Sequence, residues 1–260
     1  VQRELKTKIT EVAKVKLKNP ILVEGLPGLG MVGRIAVRYL VKTLKAERLA
    51  QLHSPHFPYY VLVNKKGNVR LLHGEFHYWR NEKGENDLIL LTGDSQAQTI
   101  EGQYEVAESI LEFAKKHGVK TIFTVGGFRV ETEEAPKVVV ASSNHDLLKK
   151  AVEAGAVVSG AGNPVVGTAG LLLGLGRFKK IDALCLLGET RGYLPDPKAA
   201  KSVLAVLQKL LGIDLDLGAL DKEIEKAEKI VAKMRQIEKR RELHARKMRK
   251  MEEEKVTYIS

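Results

Sequence analysis

A single cysteine, Cys185, in 260 residues excludes any disulfide within the chain and fits a reducing, cytoplasmic setting. No apolar run reaches the roughly 20 residues that a membrane-spanning helix needs. The first twenty residues, "VQRELKTKITEVAKVKLKNP", lack the apolar centre of a secretory signal. Aromatic residues make up only 5%, and neither an RNA-binding aromatic signature nor zinc-finger spacing occurs. The formal net charge of +11 raises nucleic acid as a partner, but the basic residues of the last forty or so positions are interleaved with acids. That pattern reads as a solvated helix surface rather than a nucleic-acid footprint. Tandem repeats and low-complexity segments are absent too.

Hydrophobic residues account for 44% and charged residues for 29%, the balance of a globular chain. Abundant Lys and Glu with little Cys or Met also suit a thermophile. Apolar runs of strand length alternate with helical patterns. "ILVEG" from Ile21 predicts a strand and "MVGRIAVRYLVKTLKA" from Met31 a helix. "YYVLVNKKGNVRLLHGEF" predicts two strands joined at Lys65-Lys66-Gly67-Asn68, and "HYWRNEKGENDLILLTGD" a second hairpin around Gly84. Helix from Glu101 to His117, strands "TIFTVGG" and "KVVVASS", and helix from Asn144 to Ala154 follow. After them come "AVVSG", a small-residue helix "GTAGLLLGLG", strand "ALCLLGE" and helix "PKAAKSVLAVLQKLLG". The central strands are continuous apolar runs, so burial on both faces is expected. The fold class that results is α/β: a three-layer core with a mixed sheet and a long C-terminal helical extension.

The division expected is a core over residues 1–218 and a charged helix with a short tail over 219–260. Apolar residues at Leu220, Ile224, Ala227, Val231 and Met234 alternate in steps of four and three, making a narrow seam on one helix face. Ile237 follows after a three-residue step, a stammer, and Met248 and Met251 continue the stripe. With no Gly or Pro from Leu220 to Lys255, one helix about 50 Å long is possible at 1.5 Å per residue. So thin a stripe needs a core, another copy or a partner to pack against. Tyr258 and Ile259 lie in the tail "VTYIS", where an aromatic near a free carboxylate suits capture in a basic pocket.

Three other candidates compete. Gly28, Gly30 and Gly33 spell G-x-G-x-x-G, the spacing of a phosphate-binding turn. Yet Leu26 and Pro27 separate the strand from Gly28, Glu47 precedes "RLAQLH" instead of ending it, and no G-K-[ST] follows. Tight turning and close helix–sheet packing explain the glycines as well. Ser95, after a buried strand in Gly93-Asp94-Ser95, resembles an esterase nucleophile, but no D-x-x-H occurs downstream. Asp94 and Ser95 are instead expected to cap the next helix. His53, His56, His73 and His77 lack a carboxylate or cysteine cluster in sequence, which argues against zinc. Trp79, Tyr59, Tyr60 and Tyr78 are expected to form a packed hairpin cluster or an oligomer contact.

The blocks "VEGLPGLGMVG", "LLTGDSQ", "TVGGF", "GTAGLLLGL" and above all "LLGETRGYLPDPKAAKSVLAVLQKLLGIDLDLGAL" stand in a telling order. From about Ile21 to Leu220 the chain resembles the archaeal members of the proteasome assembly chaperone family. The resemblance implies a core similar to phosphorylase/hydrolase-like folds without an established catalytic centre, and assembly into oligomers. In some members it implies contact with the proteasome core particle through a terminal hydrophobic-Tyr-any signal. Here Tyr258 stands third from the end, one place early, which displaces the terminal carboxylate by about 3.3 Å.

The function expected is therefore that of a non-enzymatic, cytoplasmic assembly factor without cofactor. It would pair with itself as a ring, and through its terminal helix with another protein, proteasome subunits or a related family member. One alternative is a proteasome-docking or activating factor working through its tail. The other is a nucleotide- or phosphate-dependent enzyme using Gly28, Gly30 and Gly33, with Asp94 or Ser95.

Overall fold

The computed structural model of the protein describes residues 6–131 and 134–233. Two compact units divide the chain, Val1–Leu217 and Gly218–Ser260.

The first unit is built on a nine-stranded mixed sheet. Its strands are β1 (Lys8–Glu11), β2 (Ile21–Glu24), β3 (Glu47–His53), β6 (Gly74–Trp79), β7 (Leu88–Gly93), β8 (Thr121–Arg129), β9 (Val138–Ser142), β10 (Val157–Val158) and β11 (Asp182–Thr190). β4 (Val61–Val63) and β5 (Val69–Leu71) form a separate two-stranded hairpin. Spatial order in the large sheet is β1-β3-β6-β7-β2-β8-β11-β9-β10. β7, β2, β8 and β11 run parallel at its centre, and β1, β3 and β6 extend one side antiparallel. Every residue of β7 is buried, as a continuous apolar strand covered on both faces requires.

Five helices supply the covers: α1 (Val32–Thr43), α2 (Ile100–Lys116), α3 (His145–Glu153), α4 (Gly167–Leu175) and α5 (Pro197–Leu211). α1 packs on β7, β8 and α5, and α5 on β9 and β11, whereas α4 packs on α2, β8 and β11. Leu22, Ile122 and Ala183 lie side by side on β2, β8 and β11, in one core with Ile110 and Leu111 of α2 and Leu172 of α4. The result is the three-layer α/β core expected from the alternation of runs. α5 begins as its sequence dictates: Asp196 accepts a hydrogen bond from the Ala199 amide at 2.9 Å, with Pro197 directly after the cap.

Two elements differ from expectation. β1, in the charged amino-terminal stretch, is an edge strand pairing antiparallel with β3. The four aromatics do not form one cluster: Tyr78 is buried and Trp79 half-buried in β6, while Tyr59 is fully exposed and Tyr60 mostly so. The reason is that β4 and β5 pair with each other and leave the main sheet.

Candidate functional site

The four parallel strands end at one edge of the sheet, where open α/β sheets hold ligands. The glycine turn lies there, between β2 and α1. A Cβ on Gly33 would stand 2.2 Å from the Val125 carbonyl oxygen, and one on Gly25 2.2 Å from the Gly33 carbonyl oxygen. Both glycines therefore let α1 lie directly on β8. Gly30 has φ of 57° and sits against Thr190, while Gly28 is extended with only the Gln96 amide, at 3.7 Å, near its added Cβ.

A phosphate cradle works by leaving main-chain amides free. In this turn the Leu26 amide donates to Glu24 Oε1 at 2.9 Å, Met31 to Gly28 O at 2.9 Å and Gly30 to Gly192 O at 3.4 Å. Asp196 in turn donates its amide to Gly30 O at 2.8 Å, so the turn is knitted to the loop before α5. Glu47 opens β3, three places from β2 in the sheet, instead of ending a strand next to it, and so does not take the position of a ribose-binding acid.

Beneath the turn, Glu24 is buried beside Thr124, and Thr124 beside Cys185, in one register row. Burial raises the Glu24 carboxyl to about 7 against the opposing Leu26 hydrogen bond, and its Oε2 has no hydrogen-bond partner among the described residues. Burial also pushes the Cys185 thiol up to about 12, which leaves it a core residue rather than a nucleophile.

Asp94 ends up elsewhere than its sequence position suggests. Thr99, not Asp94 or Ser95, caps α2, accepting from the Gly102 amide at 3.1 Å. Asp94 instead accepts from Arg70 of β5 at 2.5 and 3.1 Å and from the His73 amide at 3.2 Å, with Arg34 at 3.8 Å. Burial pushes its carboxyl up, but the Arg70 guanidinium and the His73 amide outweigh that and hold it below the usual range. Ser95 Oγ donates to the Gln96 carbonyl at 3.0 Å.

Three of the four histidines gain carboxylates in space, while His53 stacks on His73. His73 Nε2 lies 3.0 Å from Glu75 Oε1, His77 Nε2 3.9 Å from Glu75 Oε2, and His56 Nε2 3.3 Å from Glu105 Oε2. Among the described residues no group of three His, Cys, Asp or Glu can hold a metal ion. The network's chemistry is fastening: Arg70 ties the β4–β5 hairpin to the main sheet.

In the second unit, residues 221–233 are helical. Leu220 is buried, Ile224, Ala227 and Val231 are half-buried, and Ile230, outside the expected stripe, is 54% exposed. Met234, Ile237, Met248, Met251, Tyr258 and Ile259 lie outside the described residues. No helix among the described residues is long and apolar enough to cross a membrane.

A mixed-sheet, three-layer core whose glycine turn is bonded into its own fold defines a three-layer α/β protein. The PAC2 family model matches residues 22–235, and the chain belongs to that family. It is similar to an uncharacterized protein of Methanocaldococcus jannaschii, 36% identical over 244 residues, covering 94% of this chain and 93% of the relative. Among solved structures it is similar to Pyrococcus furiosus PbaB, described as an archaeal proteasome activator. That match has a TM-score of 0.84 and 38% identity, over 88% of this chain and 99% of the other. Pyrococcus furiosus PbaA, described as an archaeal homolog of proteasome-assembly chaperone, matches with a TM-score of 0.73 and 26% identity, over 95% and 99%.

Proposed function

We propose that this chain is a non-enzymatic, cytoplasmic, proteasome-related assembly factor or activator. It works as a homo-oligomer and holds its protein partner with the C-terminal helix. The observation that carries the reading is the 38% identity to PbaB, a proteasome activator by description, over 88% of this chain. In this reading the seam of Ile224, Ala227 and Val231, continued by Met234, Ile237, Met248 and Met251, is the gripping stripe. Leu220, at the head of the stripe, is buried. A thin apolar stripe on a charged helix is a device for groove binding.

Deleting residues from Asp221 onward, which spares Leu220, tests this. The shortened protein is expected to keep its far-UV spectrum and lose capture of archaeal proteasome subunits in a pull-down. Full capture without the helix would refute the assignment. Stimulated peptidase activity of the mature core particle identifies an activator. Faster assembly of the particle from subunits, without such stimulation, identifies a chaperone.

The likeness to an activator also supports a second reading, in which Tyr258 and Ile259 dock on the core particle. Tyr258→Ala, or removal of Ile259 and Ser260, is then expected to abolish stimulation. Stimulation surviving both changes excludes the tail.

A further inference from the structure

The β4–β5 hairpin has its polarity reversed. Its register pairs Val61 with Leu71, Leu62 with Arg70 and Val63 with Val69. By the two-residue period of a strand, Leu62 and Arg70 share one face, and Val61, Val63, Val69 and Leu71 share the other. Arg70 bonds to Asp94 and His73 beside the main sheet, which turns its own face inward. The four apolar residues therefore face outward, each 46–66% exposed. Tyr59, fully exposed, and Tyr60, at 55%, extend the apolar surface before β4. A one-sided antiparallel sheet normally puts apolar residues inward and polar residues outward. A lone two-stranded hairpin is moreover marginal in water. Covering the outward face resolves both departures.

We propose that the outward face of the β4–β5 hairpin is a self-association surface, covered in solution by a second copy of this chain. The inference rests on the oligomeric part of the proposed function and locates where copies meet. Size is the first reason. The four outward side chains present on the order of 400 Å² of accessible surface, and Tyr59, in step with Val61, adds roughly 200 Å², together most of the roughly 800 Å² that each side of a standard interface buries.

Composition is the second. The face carries no charge, and Lys65 and Lys66 stand apart at the turn. Transient partners meet surfaces about as polar as any other, whereas permanent homomeric interfaces are the more apolar ones. A chain of net charge +11 would mark a transient acidic partner's site with its bases, and this face has none. Supply is the third reason: a bare apolar face must be covered as soon as the chain folds, and another copy is always at hand.

Light-scattering masses of the full chain, of Val63→Glu/Val69→Glu, and of Lys65→Glu test the proposal. The wild type and the turn variant are expected well above the 28.8 kDa monomer. The double variant is expected to fall by at least a factor of two in mass with an unchanged far-UV spectrum. An unchanged mass above the monomer in all three overturns the hairpin surface and leaves the oligomeric reading standing. A monomeric wild type overturns both.

Should the double variant not fold, Val69→Cys decides. Cys185 is buried, so the new thiol is the reactive one. Maleimide is expected to label it at least tenfold more slowly than Lys66→Cys at the turn. Equal rates would leave the face uncovered and overturn the proposal.

Discussion

Glu24 closes β2 with its carboxyl sealed in the interior, where the charged form is penalised. Its carboxyl moves from 4.5 to about 7 on folding, so the fold favours the protonated form. The sign follows from linkage: the contribution to stability is fully present below 4.5 and lost as pH rises through about 7. At one pKa unit per 1.36 kcal/mol, the whole effect is on the order of 3 kcal/mol. Glu24→Gln keeps the shape and removes the titration. Between pH 5 and pH 8 its urea midpoint is expected to move much less than that of the wild type. Equal movement would assign the slope to other groups. The glycine motif separates in the same way at single positions. Gly33→Ala puts a Cβ 2.2 Å from the Val125 carbonyl oxygen and is expected to cost about 1–3 kcal/mol. Gly28→Ala meets only the Gln96 amide, at an ordinary contact distance of 3.7 Å, and is expected to stay within about 0.5 kcal/mol in the same unfolding assay.

At the scale of elements, hydrophobic period told most of the story. Continuous apolar runs located β2, β7, β8 and β11, and the 3.6-residue pattern located α2 and α5 to within a residue and α1 to within three. β1 escaped because an edge strand with one face in water need not be apolar, and Lys8–Glu11 carries charge at both ends. Asp94 escaped for another reason. Its acceptors are claimed by Arg70, 24 residues earlier, and that pairing is set by where the hairpin returns, which spacing does not encode. The hairpin itself was legible from its alternation and its Lys65–Asn68 turn. Which of its faces looks inward was not, since that depends on the Arg70–Asp94 tie. Asp94→Asn weakens a charge-assisted pair. Amide exchange in Val61–Val63 and Val69–Leu71 is expected to quicken about tenfold, the equivalent of 1.4 kcal/mol, while β8 stays protected. Unchanged exchange would show that the tie does not hold the hairpin.

For the whole molecule, alternation of runs sufficed to give three layers and a mixed sheet, because each layer must bury one face of its neighbour. Strand order was not legible: β2 sits between β7 and β8, far along the chain, and β8 meets β11 later still. The middle of the sheet thus draws on residues from Ile21 to Thr190. A ribosome adds roughly 5–20 residues per second, so on the order of ten seconds passes between the first of these strands and the last. For the later two thirds or so of that interval β4 and β5 are already made, with their valines and Leu71 bare and no finished body behind them. On the proposal that copies meet through this hairpin, neighbouring nascent chains on one messenger would be able to pair before either has closed its core.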